Sequence, residues 1–137
     1  MHVEWVDSVS GSPKDSGLNF GNISRGQHCM SPQVFHILSD GTDSSSGTMQ
    51  MFLDDKGWPG AQFRCHVDST FIPNVQSGSS TIATPLIESP DSSFGSPNGI
   101  NLLWDGTNSA YTWVDVQIGA DQTGICEPKI RFVFREV

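Results

Sequence analysis

The feature that most restricts the fold of this chain is the alternation of apolar and polar residues in one short stretch. In residues 61–67, AQFRCHV, every second side chain is apolar or a thiol, and the side chains between them are polar or charged. Successive side chains of a β-strand point to opposite faces of a sheet, so this pattern predicts a strand with one buried face. The inward set is Ala61, Phe63, Cys65 and Val67. The outward set is Gln62, Arg64 and His66.

Other segments carry the same period of two. Residues 48–53, TMQMFL, and residues 129–137, KIRFVFREV, each present one apolar face. The side chains that we expect in the core are Met49, Met51, Leu53, Ile130, Phe132 and Phe134. Residues 33–39, QVFHILS, carry apolar side chains at both parities, which is typical of a strand covered at least in part on both sides.

Residues 111–118, YTWVDVQI, predict a strand with one core face and one outward face. The alternation assigns four residues to the core: Thr112, Val114, Val116 and Ile118. The outward residues on the same interpretation are Tyr111, Trp113, Asp115 and Gln117. Two aromatic side chains are therefore expected to share the exposed face of one strand.

Turn residues divide these strands and indicate how they connect. The turn-rich DDKGWPG, residues 54–60, separates two predicted strands and indicates a hairpin. Residues 80–87, STIATPLI, contain Pro85, which cannot donate to a ladder, so we place this strand at a sheet edge. Residues 88–99 read as a long loop, and NLLW reads as the strand that follows it.

No segment shows a sustained helical period with caps, so the chain is predicted to be all-β. About seven to nine short strands separated by turns suit an antiparallel two-sheet β-sandwich, immunoglobulin-like in type, with a jelly roll as the alternative. A chain of 137 residues has the size of one domain, so we treat residues 1–137 as a single β-sandwich domain.

The charge balance restricts the partners. Fifteen acidic and seven basic side chains give a net charge of -8, which repels phosphate backbones and anionic lipids. We therefore expect neither nucleic acid nor a membrane as a partner. The opening MHVEWVDSVSGS lacks the basic and apolar regions of a secretion signal, so we expect cytosolic synthesis.

Cysteine and histidine neighbours raise the question of a metal. Cys29, Cys65 and Cys126 are an odd set without CxxC spacing, which excludes a complete disulfide framework. The pairs His28–Cys29 and Cys65–His66 suggest a zinc site, but adjacent residues on a strand point to opposite faces. We expect free, mostly buried thiols and no cofactor.

Neither the loop carboxylates nor any sequence motif indicates a calcium site or a catalytic site. Asp40, Asp43, Asp54 and Asp55 could supply oxygen ligands to calcium, but their spacing does not match an EF-hand loop. Serines occur without a GxSxG motif, and no motif places histidines and aspartates together. The chain is therefore not expected to be an enzyme.

Aromatic side chains give the more useful indication of function. Trp58 lies in the predicted turn GWPG, and Trp104 lies where a strand gives way to a turn. Tyr111 and Trp113 occupy the predicted outward face of their strand. Exposed aromatics are favoured at interfaces and as platforms for sugar rings, so these four residues are the candidate interaction residues.

The stretch FGNISRG, residues 20–26, is predicted to form the turn that precedes the strand at residues 33–39. Gly21 and Gly26 are expected to take backbone conformations that other residues disfavour. FGNISRG, followed by PQVFHIL and an acidic, serine-rich loop, resembles the beginning of a long strand in immunoglobulin-like β-sandwich modules. With the closing strand KIRFVFREV, the chain is similar to small structural proteins of tailed bacteriophage virions, such as capsid decoration and tail or baseplate components.

This resemblance implies a non-enzymatic virion protein that is assembled in the host cytoplasm. Its partners would be neighbouring shell, tail or baseplate proteins and copies of itself, bound through loops and sheet edges. The alternative function is a carbohydrate-binding module that uses Trp58, Trp104 or Trp113 as its platform. A planar row of aromatics on one sheet face would favour sugar, whereas aromatics scattered over loops and edges would favour protein assembly.

Overall fold

The computed structural model describes residues 2–15, 20–28, 32–38, 47–102 and 110–136. Within these ranges the chain forms eight β-strands and no helix. The strands are β1 His2–Val6, β2 Gln33–Leu38, β3 Gly47–Asp55, β4 Gln62–Asp68, β5 Thr84–Leu86, β6 Ile100–Leu102, β7 Ala110–Gln117 and β8 Lys129–Glu136.

The strands form two antiparallel sheets. The five-stranded sheet has the order β1-β2-β7-β4-β5, and the three-stranded sheet has the order β6-β3-β8. The predictions of an all-β chain and of two antiparallel sheets are confirmed.

The main core lies between the two sheets. The Phe35 ring of β2 meets the Phe132 ring of β8 edge to face, with 5.2 Å between ring centroids. The inward residues predicted for β3, β4 and β8 all lie in or against this core, which confirms those assignments. They are Met49, Met51, Leu53, Ala61, Phe63, Cys65, Val67, Ile130, Phe132 and Phe134.

The prediction of a hairpin around residues 54–60 is wrong. β3 belongs to the three-stranded sheet and β4 to the five-stranded sheet, so this connector crosses from one sheet to the other. The in-sheet neighbours of β3 are β6 and β8, with Met51 opposite both Ile100 and Phe132. Alternation is the same for strands that pair directly and for strands that face each other across a core, so it could not distinguish the two arrangements.

One of the edge strands of the five-stranded sheet was predicted from the sequence, and the other was not. β5, which contains Pro85, is the edge next to β4, as predicted. β1 was not predicted. It pairs with β2, with Trp5 opposite Phe35, and its other side is bonded by the chain as it turns back. There the Lys14 amide donates to the Trp5 carbonyl over 3.0 Å.

The outer face of the five-stranded sheet carries a second hydrophobic cluster. Val6, Val34 and Trp113 of the sheet pack against Val75 and Ile82 from the connector between β4 and β5. Trp113 lies on the outer face, as the alternation predicts, but it has no solvent exposure, so the predicted exposure of its side chain is wrong. The physical reason is that this connector folds back over the sheet and covers the middle of β7.

Asp115, also predicted to face solvent, is fully buried under the same connector. Its Oδ2 atom accepts a hydrogen bond from the Gly78 amide at 2.6 Å and one from Arg64 of β4 at 2.9 Å. Its Oδ1 atom lies 3.5 Å from Nδ1 of His28. A buried carboxylate requires such partners, because burying an unpaired charge costs several kcal/mol or more.

A loop also covers the outer face of the three-stranded sheet. Phe52 of β3 points outward yet has no solvent exposure, since the chain near Gly99 lies over its ring. Gln50 lies two residues before Phe52, on the same face of β3. It accepts a hydrogen bond from the Gly95 amide at 2.6 Å and donates one to Asn101 at 2.8 Å. Both sheets are thus covered on their outer faces by loops from the chain itself.

The glycines that precede β2 have the conformations expected of them. Gly21 and Gly26 have φ values of 71° and 75°. The Gly26 amide donates to the carbonyl of Ile118 at 2.7 Å, and the Ile118 amide donates to Gln27 at 3.2 Å. The segment 20–28 is therefore tied to the chain just after β7, at one end of the sandwich.

Candidate functional site

Trp58 lies in the connector that crosses between the sheets, and local hydrogen bonds fix its backbone. The Gly57 amide donates to Oδ1 of Asp55 at 2.8 Å. The Lys56 amide donates to Oε2 of Glu88 at 2.8 Å, which ties the connector to the chain after β5. The Trp58 side chain is partly buried and packs against the main core.

Trp58 forms one wall of a cleft of about 320 Å³ at an end of the sandwich, which we call the Trp58 cleft. Residues 20–23 and the segment 124–128 form the other walls. Its main apolar lining consists of Phe20, Ile23, Trp58, Phe63, Ile125 and Pro128.

The floor of the cleft is the end of the main core. Phe63 of β4 and Val116 of β7 reach it from their inward faces. Phe20 packs against Phe63 with 6.2 Å between ring centroids. The cleft is therefore a place where the space between the two sheets opens to solvent.

The side chains that line the cleft are uncharged and mostly apolar, and polar atoms make up about half of its exposed surface. Among the described residues that line the cleft, none carries a formal charge, and the polar side-chain atoms belong to Asn22, Trp58 and Cys126. In a chain with a net charge of -8, a neutral concave surface is suited to an uncharged apolar group.

Ile125 is the most exposed large apolar side chain of the described residues, at 85% exposure. It was not predicted as a site residue, and neither was Phe20. The available signal was an isolated isoleucine in the otherwise polar stretch DQTGICEP. Single exposed apolar residues are common, so sequence alone gave Ile125 no special weight.

Cys126 ties the wall formed by residues 124–128 to the connector that contains Trp58. Its Sγ atom donates to the carbonyl of Lys56 at 3.2 Å. Burial raises the pKa of this thiol, so it remains protonated and able to donate. Gly57 lies against it, and a Cβ atom added at Gly57 would stand 2.8 Å from the sulfur.

Gly57→Ala is expected to destabilise the fold more than Gly26→Ala does. Both glycines have positive φ, 81° and 75°, but a Cβ at Gly26 would meet nothing within 4 Å. Gly26→Ala should therefore show the conformational cost alone, about 1–2 kcal/mol. Gly57→Ala should cost about 2–4 kcal/mol, because crowding against Cys126 is added.

Urea denaturation of both variants measures this difference. Adding Cys126→Ala to Gly57→Ala should recover part of the loss by removing the sulfur. Equal costs for the two single glycine variants would contradict the packing described for Cys126.

Trp113 and Tyr111, the other predicted interaction residues within the described ranges, do not line the Trp58 cleft. Trp113 is in the second hydrophobic cluster, and Tyr111 packs against that cluster. Tyr111 is partly buried and stacks on His36 with 4.1 Å between ring centroids. Trp104 lies outside the described residues. Of the three candidates that the structure describes, Trp58 is the one that lines this cleft.

The residues considered for metal binding are dispersed. Cys65 lies in the main core, where burial raises its pKa to about 12, while His66 lies on the opposite face beside Trp113. Cys29, Asp40 and Asp43 lie outside the described residues. Asp54 faces Arg131, and Asp55 accepts from the Gly57 amide. In the described part of the chain, no three His, Cys, Asp or Glu residues form a group suited to a metal ion.

No protein-family model, curated protein or solved structure matches this chain. In the described ranges, no helix has the length and apolar character needed to cross a bilayer. A function can therefore be inferred only from the chain's own residues, chiefly those of the Trp58 cleft.

Proposed function

We propose that this chain is a non-enzymatic structural protein of a tailed bacteriophage virion, with an immunoglobulin-like sandwich that binds neighbouring shell, tail or baseplate proteins. The observation that carries the binding role is the Trp58 cleft, an opening of about 320 Å³ whose lining side chains are uncharged and mostly apolar and include the exposed Ile125. The attribution to a virion is supported by the sequence resemblance of FGNISRG and PQVFHIL.

The cleft has the composition of the centre of a protein interface. Aromatic side chains are enriched at such centres and charged side chains are depleted. Phe20 and Trp58 provide aromatic surface on two walls, and Ile125 extends the apolar surface outward from the third. A partner that inserts an uncharged apolar side chain here would bury this surface and exclude water from the end of the core.

The positions of the described aromatics favour protein assembly over the carbohydrate-binding alternative. A sugar platform needs aromatic rings that lie exposed and in one plane. Trp113 is fully buried, Tyr111 stacks on His36, and Trp58 lies on a connector at the end of the sandwich. In the part of the chain that the structure describes, these rings do not form a row on one sheet face.

Ile125→Asp is expected to leave the fold intact and to weaken incorporation into the particle. Because Ile125 is 85% exposed, its replacement removes little packing, but it places a charge at the mouth of a neutral cleft. We expect occupancy on particles to fall by about tenfold or more, the effect typical of a central interface residue. Quantitative mass spectrometry of purified virions, with competing wild-type and variant subunits, measures this occupancy.

The matched control is Val9→Asp, since Val9 is 59% exposed and does not line the cleft. It should change neither melting temperature nor occupancy. Trp58→Ala is a second test, and it should weaken incorporation while costing some stability through lost packing. Unchanged occupancy for both cleft variants would contradict the proposal. Binding of the free protein to soluble oligosaccharides, without binding to particle proteins, would favour the carbohydrate-binding function instead.

A further inference from the structure

Ile125 gives the Trp58 cleft an apolar projection beside its opening. The residue belongs to the wall formed by residues 124–128, yet it is 85% exposed. The open volume next to it is about 320 Å³. One patch of the surface therefore carries both a projecting apolar side chain and a recess with a mostly apolar lining.

A projection and a recess on the same patch suit a contact between two copies of the chain related by a two-fold axis. In such a contact the patch faces itself, so each residue that enters the other copy is matched by its counterpart entering the first. Ile125 of each copy would enter the cleft of the other. A recess alone would fit any apolar side chain, whereas the adjacent projection of matching chemistry favours a second copy.

The cleft has the size and the fixed walls that this insertion needs. A cavity of about 150 Å³ holds a benzene molecule, so an opening of about 320 Å³ admits the four-carbon side chain of isoleucine. Phe20 and Ile23, on the wall opposite Ile125, pack against the main core, which fixes their positions. The inserted side chain would lie against a surface that is already in place.

The charges next to the cleft suit the same contact. Arg25 and Glu127 are both exposed, each two residues beyond a lining residue, Ile23 on one wall and Ile125 on the other. Seating Ile125 of one copy against Ile23 of the other brings residues 124–128 of each copy alongside residues 20–26 of the other. Glu127 would then face Arg25 on both sides of the axis, and such complementary rim charges favour a specific orientation.

The overall charge of the chain also restricts where two copies can meet. Two molecules of net charge -8 repel each other, so a contact between them is favoured where no carboxylates are brought together. Among the described residues that line the Trp58 cleft, none carries a formal charge. The cleft is therefore a surface at which two acidic copies can approach closely.

We propose that the Trp58 cleft is a two-fold contact between two copies of this chain, in which Ile125 of each copy enters the cleft of the other and Glu127 pairs with Arg25. This inference rests on the proposed assembly role and names a second copy as the partner at the cleft.

The extent of the patch sets the expected strength of the contact. Twelve described residues line the cleft, fewer than the roughly 20–30 residues a side of a stable interface. We therefore expect a weak, reversible dimer with a Kd on the order of 10–100 µM. Neighbouring subunits on a particle have a high effective concentration, so a weak contact is sufficient there.

Sedimentation equilibrium of the wild-type chain, from about tenfold below to about tenfold above this Kd, measures the association. Ile125→Asp should raise the Kd by about tenfold or more, because it brings a carboxylate into an apolar recess twice in each dimer. Val9→Asp is the matched control, since it makes the same change of charge at an exposed valine that does not line the cleft. Its Kd should equal that of the wild type.

Exchanging the rim charges tests the two-fold arrangement. Arg25→Glu would oppose two carboxylates at each rim, and Glu127→Arg would oppose two guanidinium groups, so each should raise the Kd by about threefold or more. Overall repulsion alone would give opposite effects, because the first change makes the net charge more negative and the second makes it less negative. The chain with both substitutions, and an equimolar mixture of the two single variants, should associate like the wild type.

NMR spectra of the ¹⁵N-labelled wild type at low and high concentration locate the contact without any variant. Concentration-dependent shifts should be concentrated in residues 20–26, Trp58 and residues 124–128. A wild type that stays monomeric over the whole range, shifts confined to other surfaces, or a dimer that Ile125→Asp leaves unchanged would each overturn the inference.

The same variants separate this inference from the proposed function. A monomeric wild type, with loss of incorporation by Ile125→Asp, would reject the second copy and retain the cleft as a contact with a different particle protein. Dimerisation through the cleft, with unchanged incorporation of Ile125→Asp, would retain the two-fold contact and reject the role of the cleft in incorporation.

Discussion

Asp115→Ala is expected to lower the free energy of unfolding by about 3–5 kcal/mol, the usual cost of removing one partner of a buried ion pair. Asp115 is fully buried and accepts hydrogen bonds from Arg64 at 2.9 Å and from the Gly78 amide at 2.6 Å. Alanine would leave the guanidinium without its anion and the amide without its acceptor. Chemical denaturation followed by circular dichroism gives the loss.

Three further variants identify the source of this loss. Asp115→Asn keeps the size of the side chain and an acceptor for Gly78 but removes the charge, so it should cost less than Asp115→Ala. Arg64→Ala leaves the carboxylate buried without its cation. The double variant, with alanine at both positions, should cost clearly less than the sum of the single losses. Additive losses, or a loss below about 1 kcal/mol for Asp115→Ala, would show that the pair is not coupled as described.

The covering connector explains why the sequence predicts exposure correctly on the outer face of β4 but not on the outer face of β7, although the core residues predicted for β7 are confirmed. The period of two separates core and outer residues correctly in β4, where Phe63 and Cys65 are buried and Gln62 is exposed. The same reasoning placed Trp113 and Asp115 of β7 in solvent. An alternation of apolar and polar residues shows which side chains share a face of the sheet. Whether that face is covered depends on a segment distant in sequence, here the connector between β4 and β5.

The sequence of the connector that covers β7 contains an indication that it packs on a sheet. Phe71, Ile72, Val75 and Ile82 are apolar residues in a region otherwise rich in Ser, Asn, Gly and Pro. Their spacing follows neither a strand nor a helix, so pattern analysis treats the region as a solvated loop. An apolar residue every few positions in a long connector is better interpreted as evidence that the connector packs on a sheet.

The candidate site was predictable to a similar extent. Trp58 was identified because a tryptophan in a turn is difficult to place in a core. Its neighbours Phe20 and Ile125 lie 38 and 67 positions away in sequence, and the fold alone brings them together. The predicted hairpin at residues 54–60 would not have produced this site. Trp58 lines an opening between the sheets because its connector crosses from one sheet to the other.

Packed outer faces also restrict where this protein can bind. Loops of the chain cover the middle of both sheets, over Trp113 on one side and Phe52 on the other. The described surfaces left for a partner are the ends of the sandwich and the sheet edges. The Trp58 cleft is at one of these ends.

Trp113→Ala is expected to cost about 3–5 kcal/mol of unfolding free energy, the range for a large aromatic side chain removed from a core. Trp113 has no solvent exposure and lies among the rings of His66, Phe71 and Tyr111, with centroid separations of 5.6, 6.0 and 6.2 Å. Truncation would leave a cavity that these neighbours fill only in part. An exposed interaction residue, by contrast, would change stability by no more than about 0.5 kcal/mol.

The controls for Trp113 separate burial from a binding role. Trp113→Phe keeps most of the ring volume and should cost clearly less than the alanine variant. Phe71→Ala removes part of the cover from the connector and should lower stability and increase the accessibility of Trp113 to acrylamide quenching. Urea titration of all three variants gives the order of costs. If Trp113→Ala melted like the wild type but lost binding to particles, Trp113 would belong to an exposed interface and the covering role of residues 69–82 would be wrong.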